Sequence, residues 1–368
     1  MKRIPFKSEK PILLITWFSI VMTAVGFYGL KIVADQAPVP DVGWLRVIIG
    51  LRVPLLLLGI LLFLGSVFVG NIVKNGRFHW GDFLPYLFIL PAIACLVIFV
   101  LYPLINLIYL SLFRGSILRP TKSFMKLDNY KGLLTDVGFL AAVKNTALYT
   151  FAIVVLLISM ALLLAVWFFK DHKVNRFAQL AVFTPHLIAS ISVAFVWGWM
   201  FNYHSYGVFN TILGVFGIQP VPWLESAKTA LWCVIVVNVW KSMGYYSILL
   251  LSSMKSIPVE LYEAAELDGS SAAKTFFKIT LPMLSPQLFF LLITITIGSF
   301  KVFDSINIMT DGGPGRATEV LTRIIYDYTI NRNNMLGISA AISVVFVILL
   351  CFLSYLYFHF LDRKVHYQ

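Results

Sequence analysis

The amino-acid sequence predicts an all-α protein that crosses a membrane several times. Hydrophobic residues make up 59% of the chain and charged residues only 12%, and the mean hydropathy is +0.85. Soluble domains contain about 25% charged residues, so this composition excludes one. The apolar residues form long stretches, each near the roughly 20 residues that a helix needs to cross a hydrocarbon core. Helices are therefore predicted, rather than the shorter alternating strands of a membrane barrel.

The charge and the cysteines add little chemistry to this class. The net charge of +12 does not indicate nucleic-acid binding, because the basic residues lie mostly in loops and tails, where they set orientation and contact lipid. Cys95, Cys233 and Cys351 lie in apolar stretches without metal-ligand spacing. They are interpreted as packing residues, and neither a disulfide framework nor a metal site is predicted.

Eight apolar stretches predict eight membrane helices, with both termini on the same side. The first follows a basic tail and is interpreted as a retained anchor, because no small-residue cleavage site follows it. In the second, Arg52 is expected near an interface, where its side chain can reach water. The third contains Pro85, Pro91 and Pro103, which membrane helices tolerate with a kink. The predicted spans are approximately 12–30, 47–73, 84–113, 146–169, 177–201, 230–253, 284–308 and 336–361.

Short basic segments predict the orientation of these helices. The N-terminal tail, residues 170–176 and the C-terminal Arg363-Lys364 fall on one side, which favours the cytoplasm for that side. The opposite loop, residues 114–144, is also basic, so charge alone leaves the orientation open. The polar loop between the sixth and seventh spans falls on the side of the basic tails and supports the same assignment.

That polar loop has the pattern of a helix, a turn and a second helix. Ser256 can cap the first helix, and Pro258 fits its first turn, where a missing N–H costs nothing. Glu260 places negative charge near the positive end of the helix dipole. Gly269 is expected to end this helix, and a second short helix is expected to run on to Pro282.

The spacing of residues in this loop is more specific than that of an ordinary amphipathic helix. The pattern consists of Glu263-Ala264-Ala265, then Asp268-Gly269, then Ile279-x-Leu281-Pro282. It resembles the cytoplasmic coupling motif of binding-protein-dependent ABC importer permeases, in which the loop sits in a cleft of the ATPase subunit. The resemblance implies that these residues couple the chain to a separate ATPase. We call residues 254–283 the coupling loop.

Energy is expected to come from that separate ATPase. No Walker A pattern, G-x-x-x-x-G-K-[ST], is present, and the glycine cluster at 312–316 is interpreted as a tight extracytoplasmic turn. The chain is therefore not predicted to be an enzyme or to hold a cofactor; ATP and Mg²⁺ are expected on the partner. Leu261, Tyr262 and Ala265 are expected to offer that partner apolar contacts at helical spacing. Its motion would then rock the core helices between two access states.

Most of the chain after about Tyr86 resembles the sugar-type subfamily of these permeases, the maltose, multiple-sugar and glycerol-phosphate group. The resemblance implies a six-helix type I ABC importer core in residues 83–368, preceded in residues 1–82 by a tail and two extra transmembrane helices. The loop at 114–144 is too short for the large extracytoplasmic domain of some maltose-type subunits. The landmarks are residues 87–92, Tyr102-Pro103, Ser111, Asn129-Tyr130, Asn145-Thr146, 183–185, 196–201, Trp240, 303–306 and 310–314.

The resemblance implies the permease subunit of an ATP-driven importer for a carbohydrate, either a mono- or oligosaccharide or a related derivative. It implies a second homologous permease, an ATP-binding cassette ATPase dimer, an extracytoplasmic sugar-binding protein and membrane lipid as partners, and no nucleic acid. The implied location is the inner membrane of a bacterial or archaeal cell, with both termini cytoplasmic. A stand-alone ion-driven transporter is the alternative, and it would show broken helices and pseudo-repeats. An integral membrane enzyme would need a polar catalytic cluster, and no catalytic residue is predicted.

Polar and aromatic residues within the spans are candidates for the substrate pathway. Aromatic faces cover the C–H surface of a sugar, and amide or carboxylate groups bind its hydroxyls. A Trp or Tyr at a helix end is more often an interface residue. Lys301 and Asp304 share a helix face, so an ion pair near the membrane surface is the simpler interpretation of this pair. The candidates are Asn238, Trp240, Tyr245, Asp304 and Asn307.

Overall fold

We describe the fold from a computed structural model, which defines residues 80–115, 123–170, 172–204, 206–332 and 335–360. The chain divides into two compact units, Met1–Lys126 and Leu127–Gln368, which are described separately. The predicted spans at 12–30 and 47–73, with Arg52, lie outside the described residues. So do the basic N-terminal tail and Arg363-Lys364.

The described part of the first unit is a helical rod followed by a small hairpin. Residues Phe88–Ser111 of this rod are long and apolar enough to cross a membrane, which confirms the predicted third span. Phe113 and Phe124 are partners in the antiparallel hairpin, with ring centroids 5.3 Å apart. The elements are α1 (Trp80–Leu96), a π-helical turn (Val97–Leu101), α2 (Tyr102–Ser111), β1 (Phe113–Arg114) and β2 (Ser123–Phe124).

The second unit is a bundle of helices. Its elements in chain order are α3 (Asp128–Leu133), α4 (Val137–Phe168), α5 (Lys173–Leu187), α6 (Ser190–Met200), α7 (Val208–Val215), α8 (Ala230–Lys255), α9 (Val259–Leu267), α10 (Ala272–Thr275), a π-helical turn (Phe276–Thr280), α11 (Leu281–Met283), α12 (Ser285–Phe300), α13 (Asp304–Met309), α14 (Leu321–Tyr326), a π-helical turn (Asp327–Asn331) and α15 (Leu336–Phe360).

Four further helices of the described chain could cross a membrane, and all four are in the second unit. They are α4, α8, α12 together with α13 (Ser285–Met309), and α15 over Leu336–His359. Helices α5 and α6 pass the same test only as a pair, because they are bent by 100° where they meet. With that pair counted as one span, the described residues contain six, the number predicted for the core.

The prediction of one uninterrupted helix over 177–201 is wrong. The chain leaves the helix at Ile188 and Ala189, both with extended backbone (ψ 139° and 135°). Pro185 has no N–H for the helix ladder and clashes with the preceding turn, so the helix is weakened next to the break. Helix α5 also begins earlier than predicted. Asn175 closes the turn before it by donating to the carbonyls of Trp167 and Lys170.

Helix α4 begins at Val137, nine residues before the predicted start of its span. Asp136 caps the helix, because its carboxylate accepts a hydrogen bond from the N–H of Phe139 at 2.6 Å. A capping side chain satisfies one of the N–H groups that the first helical turn leaves free. The landmark pair Asn145-Thr146 therefore lies inside α4 rather than at its start.

The main core lies where α4 crosses α8 and α12. Ala161 and Ala165 of α4 are fully buried, and small residues let membrane helices approach closely. Cys233 is buried in this core, in agreement with its interpretation as a packing residue. Cys95 and Cys351 are exposed on apolar helix surfaces, so that interpretation is wrong for them within the chain.

Helices α5 and α8 touch through their backbones. A Cβ atom built on Gly244 of α8 would lie 2.1 Å from the carbonyl oxygen of Val182 in α5. Glycine is required at this position because any larger residue would force the two helices apart.

Candidate functional site

The coupling loop folds as two short helices joined by a tight turn. Gly269 follows α9 with a φ of +68°, a conformation that suits glycine. Its N–H donates to the carbonyl of Glu266, and the N–H of Ser270 donates to the carbonyl of Ala265. These bonds satisfy carbonyls at the end of α9. The prediction that Gly269 ends the helix is confirmed.

Two details of the predicted loop are wrong. Ser256 does not cap α9, since its hydroxyl donates to the carbonyl of Ser253 in α8. Pro258 takes the capping position, with no side-chain hydrogen bond there. The side chain of Ser271 caps the second helix instead, accepting from the N–H of Lys274. That second helix continues through α11, one residue beyond Pro282.

Tyr262 and Ala265 attach α9 to the rest of the second unit. The hydroxyl of Tyr262 lies 3.2 Å from that of Thr280, and its ring centroid lies 6.0 Å from that of Phe169, just after α4. Ala265 is only 7% exposed. Within the described chain both residues contact the protein's own residues, and their contact with a partner stays a prediction. Their helical spacing marks the stripe that packs against the protein's own chain.

The rest of the α9 surface is exposed within the described chain. Leu267 is 89% exposed and Val259 is 59% exposed, and Leu261 is also exposed, as predicted. Large apolar side chains held this far into solvent are typical of a surface that contacts another protein. Among the motif residues, Glu263, Ala264, Asp268 and Gly269 are exposed, whereas Ile279, Leu281 and Pro282 are half-buried. Their role in coupling stays a prediction.

The candidate pathway residues lie on the neighbouring helices α8 and α13. The side-chain amide of Asn238 donates to the hydroxyl of Ser305 at 3.0 Å, which joins the two helices. Asp304 and Asn307 stand on either side of Ser305 in α13 and are half-buried. Ser305 lies in the landmark segment 303–306 but was not among the pathway candidates, because a serine in an apolar helix gives no signal for substrate binding.

Trp240 and Tyr245 of α8 both contact the bent pair α5–α6. Trp240 packs edge-on against Trp197, with centroids 5.2 Å apart. Tyr245 stacks on His186 at 4.4 Å and an interplanar angle of 7°. Both aromatic residues are therefore internal contacts, and their contact with substrate stays a prediction.

Lys241 in α8 has a hydrogen-bond partner that the sequence did not predict. The ammonium group of Lys241 donates to the hydroxyl of Ser190, the first residue of α6, at 2.6 Å. The predicted ion pair between Lys301 and Asp304 is wrong, since the described ion pairs do not include it. Lys301 ends α12 and Asp304 begins α13, so the two do not share one helix face.

An open cavity of about 660 Å³ lies at the end of the second unit opposite the coupling loop. Trp199 and Tyr203 give it aromatic walls, and Asn202, Glu225 and Asp311 give it polar groups. This volume falls within the range of about 300–1,000 Å³ for small-molecule sites. The five predicted pathway residues are not among those that line it. Two landmark segments, 196–201 and 310–314, were the signal for it in the sequence.

The turn beside this cavity is tight, as the sequence predicted. Asp311, Gly312, Gly315 and Arg316 all have positive φ values. The hydroxyl of Thr318 closes the turn by donating to the carbonyl of Gly313 at 2.7 Å. Two of the four left-handed positions are not glycine, so the surrounding contacts have to hold the turn in this conformation.

A group of charged side chains supplies those contacts. We call Asp311, Glu319, Arg323 and Asp327 the Arg323 cluster. The side chain of Arg323 is 9% exposed, and its guanidinium nitrogens lie 2.6 Å from Asp311, 3.8 Å from Glu319 and 3.6 Å from Asp327. Burial raises the pKa of the Glu319 carboxyl, although the positive charge of Arg323 opposes the shift. The i, i+4 spacing of Glu319, Arg323 and Asp327 was the available signal in the sequence.

The landmark pair in α4 is joined to this region. The amide of Asn145 donates to the carbonyls of Arg316 and Glu319 at 2.9 and 3.0 Å. The hydroxyl of Thr146 accepts a hydrogen bond from the N–H of Leu321 at 3.0 Å. Helix α4 thus connects the two ends of the unit, with roughly 36 Å of helix between Asn145 and Phe169.

A bundle of apolar helices with an exposed helix–turn–helix loop at one end is the architecture of a membrane permease subunit. Residues 137–367 match the family described as binding-protein-dependent transport system inner membrane component. The chain belongs to this family, and the predicted family is confirmed.

Several curated proteins are similar along most of the chain. The trehalose/maltose transport system permease protein MalF of Thermococcus litoralis is 36% identical over 270 residues, which cover 73% of this chain and 90% of that protein. The sn-glycerol-3-phosphate transport system permease protein UgpA of Agrobacterium fabrum is 32% identical, with 77% and 96% covered. The arabinooligosaccharides transport system permease protein AraP of Bacillus subtilis is also 32% identical, with 77% and 95% covered.

Two solved structures have the same fold. One is a bacterial ABC transporter involved in the import of the acidic polysaccharide alginate, with a TM-score of 0.67, 24% identity, and 79% of this chain and 98% of that chain covered. The other is a bacterial alginate ABC transporter in complex with an alginate pentasaccharide-bound periplasmic protein, with a TM-score of 0.66, 25% identity, and 78% and 96% covered. The fold is that of an ABC importer permease.

Proposed function

We propose that this chain is the permease subunit of an ATP-driven ABC importer that takes up a carbohydrate, either a mono- or oligosaccharide or a related derivative. The observation that carries the proposal is membership of the family, together with the names of its relatives. Those names specify trehalose/maltose and arabinooligosaccharides, and also sn-glycerol-3-phosphate. The aromatic and polar walls of the 660 Å³ cavity suit such solutes.

The proposed arrangement in the membrane has eight transmembrane helices. Six are the spans of the described residues, and two are the apolar stretches at 12–30 and 47–73. The basic tails favour cytoplasmic termini, which makes the coupling loop cytoplasmic and the Arg323 cluster extracytoplasmic. The membrane is the inner membrane of a bacterial or archaeal cell.

The proposed transporter needs further subunits. They are a second homologous permease, an ATPase dimer that holds ATP and Mg²⁺, and an extracytoplasmic sugar-binding protein. This chain itself would hold no cofactor and hydrolyse no ATP. The exposed apolar face of α9 supports an ATPase partner, and the alginate transporter with its bound periplasmic protein supports a binding protein.

The proposed mechanism is alternating access driven through the coupling loop. An ATPase that binds Leu267 and the exposed side of α9 would move α4 through the contact between Tyr262 and Phe169. It would move α12 through the contact between Tyr262 and Thr280. To reverse a two-state equilibrium from 1:99 to 99:1 requires about 5.5 kcal/mol of differential binding. The pathway itself would run along Asn238, Trp240, Tyr245, Asp304 and Asn307.

The break between α5 and α6 is the one feature that favours a second candidate, an ion-driven transporter. Such transporters use discontinuous helices to bind substrates and ions near the membrane centre. The two candidates differ in a simple assay, because an ion-driven transporter would carry solute as the purified chain alone. We expect no uptake by the chain alone.

A substitution in α9 tests the coupling. Leu267→Lys places a charge on the exposed tip without removing any internal contact, and Leu134→Lys makes the same change at a leucine that is 72% exposed near the start of α4. We expect Leu267→Lys to lower ATPase co-purification and carbohydrate-stimulated ATP hydrolysis about tenfold or more, as for an interface hot spot. Leu134→Lys should have no effect.

Two results would contradict the proposal separately. Unchanged ATPase co-purification in both Leu267→Lys and Gly269→Pro would show that the coupling loop is assigned wrongly; proline cannot adopt the positive φ of Gly269. A fully assembled complex that, with its binding protein, takes up no member of a panel of mono- and oligosaccharides and sn-glycerol-3-phosphate, but takes up a solute of another class, would show that the solute class is wrong.

A further inference from the structure

The segment that joins α6 to α8 has an unusual composition for a connection between membrane spans. The whole connection, residues 201–229, has two charged residues, Glu225 and Lys228, and residues 202–224 have none. His204 is the one imidazole in residues 202–224. The coupling loop, at the other end of the unit, is of similar length and has seven charged residues. These are Lys255, Glu260, Glu263, Glu266, Asp268, Lys274 and Lys278. A connection that lay in water would be expected to carry charge as the coupling loop does.

Helix α7, in the middle of this segment, has two distinct faces. Its inner face carries Asn210, which is 4% exposed, and Phe209, whose ring lies 4.8 Å from that of Phe201. Ile212 and Val215 lie on its outer side and Phe216 follows directly after the helix; the three are 51%, 80% and 74% exposed. The outer residues recur at helical spacing, so they form one continuous apolar strip.

The apolar strip is held in place from the inside. The amide nitrogen of Asn210 donates to the carbonyls of Asn202, Tyr203 and Val221, and its oxygen accepts from the N–H of Val221 and the indole N–H of Trp223. These bonds tie α7 to the chain on both of its sides. The strip is therefore a fixed surface and not the tip of a loose loop.

Exposed aromatic residues indicate the depth of α7 relative to the membrane. Trp232 is 48% exposed in the first turn of α8, and Tyr206 is 60% exposed just before α7. Trp and Tyr concentrate at the headgroup level of membranes, because one part of each side chain is apolar and the other is polar. Tyr206 and Trp232 lie on either side of α7 in the sequence, which places α7 at the boundary where the spans leave the hydrocarbon core.

We infer that α7 is an interfacial helix whose strip of Ile212, Val215 and Phe216 is buried among lipid acyl chains, in the leaflet opposite the coupling loop. Interfacial helices bury an apolar face about 5–10 Å into the boundary of headgroups and acyl chains. Lipid fits the strip better than a docking protein, since protein interfaces have a polar rim and residues 202–224, which include α7, have no charged residue to build one around the strip. The inference does not depend on what the transporter carries.

Fluorescence quenching of a label on the strip tests the inference. Val215→Cys is labelled with bimane in the full chain, assembled with its partner subunits in phosphatidylcholine and phosphatidylglycerol vesicles. The exposed Cys95 and Cys351 are changed to Ala, and Cys233 stays because it is buried. The bimane fluorescence of a chain without Val215→Cys is subtracted as background. Lys228→Cys, an exposed polar position in the same connection, is the control. We expect lipid with a doxyl group at carbon 5 to quench bimane about threefold more at position 215 than at 228, and iodide to show the reverse order.

Two outcomes would overturn the inference. Quenching of position 215 by iodide to the same extent as position 228 would place the strip in water. Resistance of position 215 to both quenchers would show that a protein subunit covers it. Phe216→Cys provides a second reporter on the same strip if Val215→Cys does not assemble.

Discussion

The two ends of the second unit are held by different means. At the coupling-loop end, the described contacts give α9 one side-chain hydrogen bond to the rest of the unit, between Tyr262 and Thr280. At the opposite end, the turn at 310–316 is fixed by the Arg323 cluster and by Asn145 and Thr146 from α4. The end with the turn at 310–316 is thus stabilised by contacts within this chain. The other presents an exposed surface whose remaining stabilisation has to come from a partner.

The largest expected effect that would test this difference is at the end with the turn at 310–316. Arg323→Met removes a buried cation and leaves three carboxylates facing one another, so we expect the free energy of unfolding to fall by about 3–5 kcal/mol. Denaturant unfolding in detergent measures it. Arg332→Gln, which removes the more exposed partner of Asp327, should cost far less. An equal loss in both variants would contradict the assignment of Arg323 as the centre of the cluster.

A smaller effect is expected from the link between α4 and the turn. Asn145→Ala leaves the carbonyls of Arg316 and Glu319 without their donor, at about 1–3 kcal/mol of stability. Lys144→Ala changes the exposed neighbouring residue and should alter stability by less than about 0.5 kcal/mol. Thermal unfolding of the two variants makes the comparison. If Asn145→Ala is as stable as Lys144→Ala, water replaces the lost bonds.

The next effect concerns the single bond at the other end. Tyr262→Phe keeps the ring against Phe169 and removes only the hydroxyl, so we expect a loss of about 1 kcal/mol. Hydrogen exchange should rise in α9 and stay unchanged in α14, because α9 has no second side-chain bond among the described contacts. Tyr206→Phe is the matched control. Increased exchange in both helices would mean that the two ends are not independent.

The smallest effect is a change in pH dependence. Burial raises the pKa of Glu319 above its ordinary value of 4.5, so the folded state holds this proton more tightly than the unfolded state. The contribution to stability is therefore present below the unfolded pKa and is lost as pH rises through the folded pKa. Glu319→Gln should remove the fall in the free energy of unfolding that this group causes as pH rises. The stability of the variant relative to the native chain should therefore increase from acidic to neutral pH. Glu225→Gln, which replaces an exposed carboxyl outside the Arg323 cluster, is the matched control.

Hydrophobic length predicted the spans well, and local chemistry explains where it failed. The stretches at 84–113, 230–253, 284–308 and 336–361 each contain a helix that could cross a membrane. Asp136 extends α4 outwards beyond its apolar stretch, since a cap depends on one side chain and not on hydropathy. The break at Ile188 was missed because apolar residues continue on both sides of it, although Pro185 was a visible signal.

The motif of the candidate site could be predicted from the sequence, but the contacts of its side chains could not. The spacing around Gly269 predicted the helix, the turn and the second helix of the coupling loop, which the structure has. Its contact with an ATPase stays a prediction. The same spacing could not say whether Tyr262 and Ala265 face a partner or their own chain, because an apolar stripe looks alike in both cases. The importance of Asn145 could not be derived at all. Its acceptors lie 171 and 174 residues away in the sequence, and only the folded chain brings them together.

The backbone contact between Gly244 and Val182 limits how the bundle can deform. Side chains between helices can change rotamer and act as a compressible layer, but main-chain atoms have no such freedom. Helix α5 and the middle of α8 are therefore expected to translate as one piece. We therefore expect movement of α6 relative to α5 to occur at Ile188 and Ala189, the extended pair that joins them.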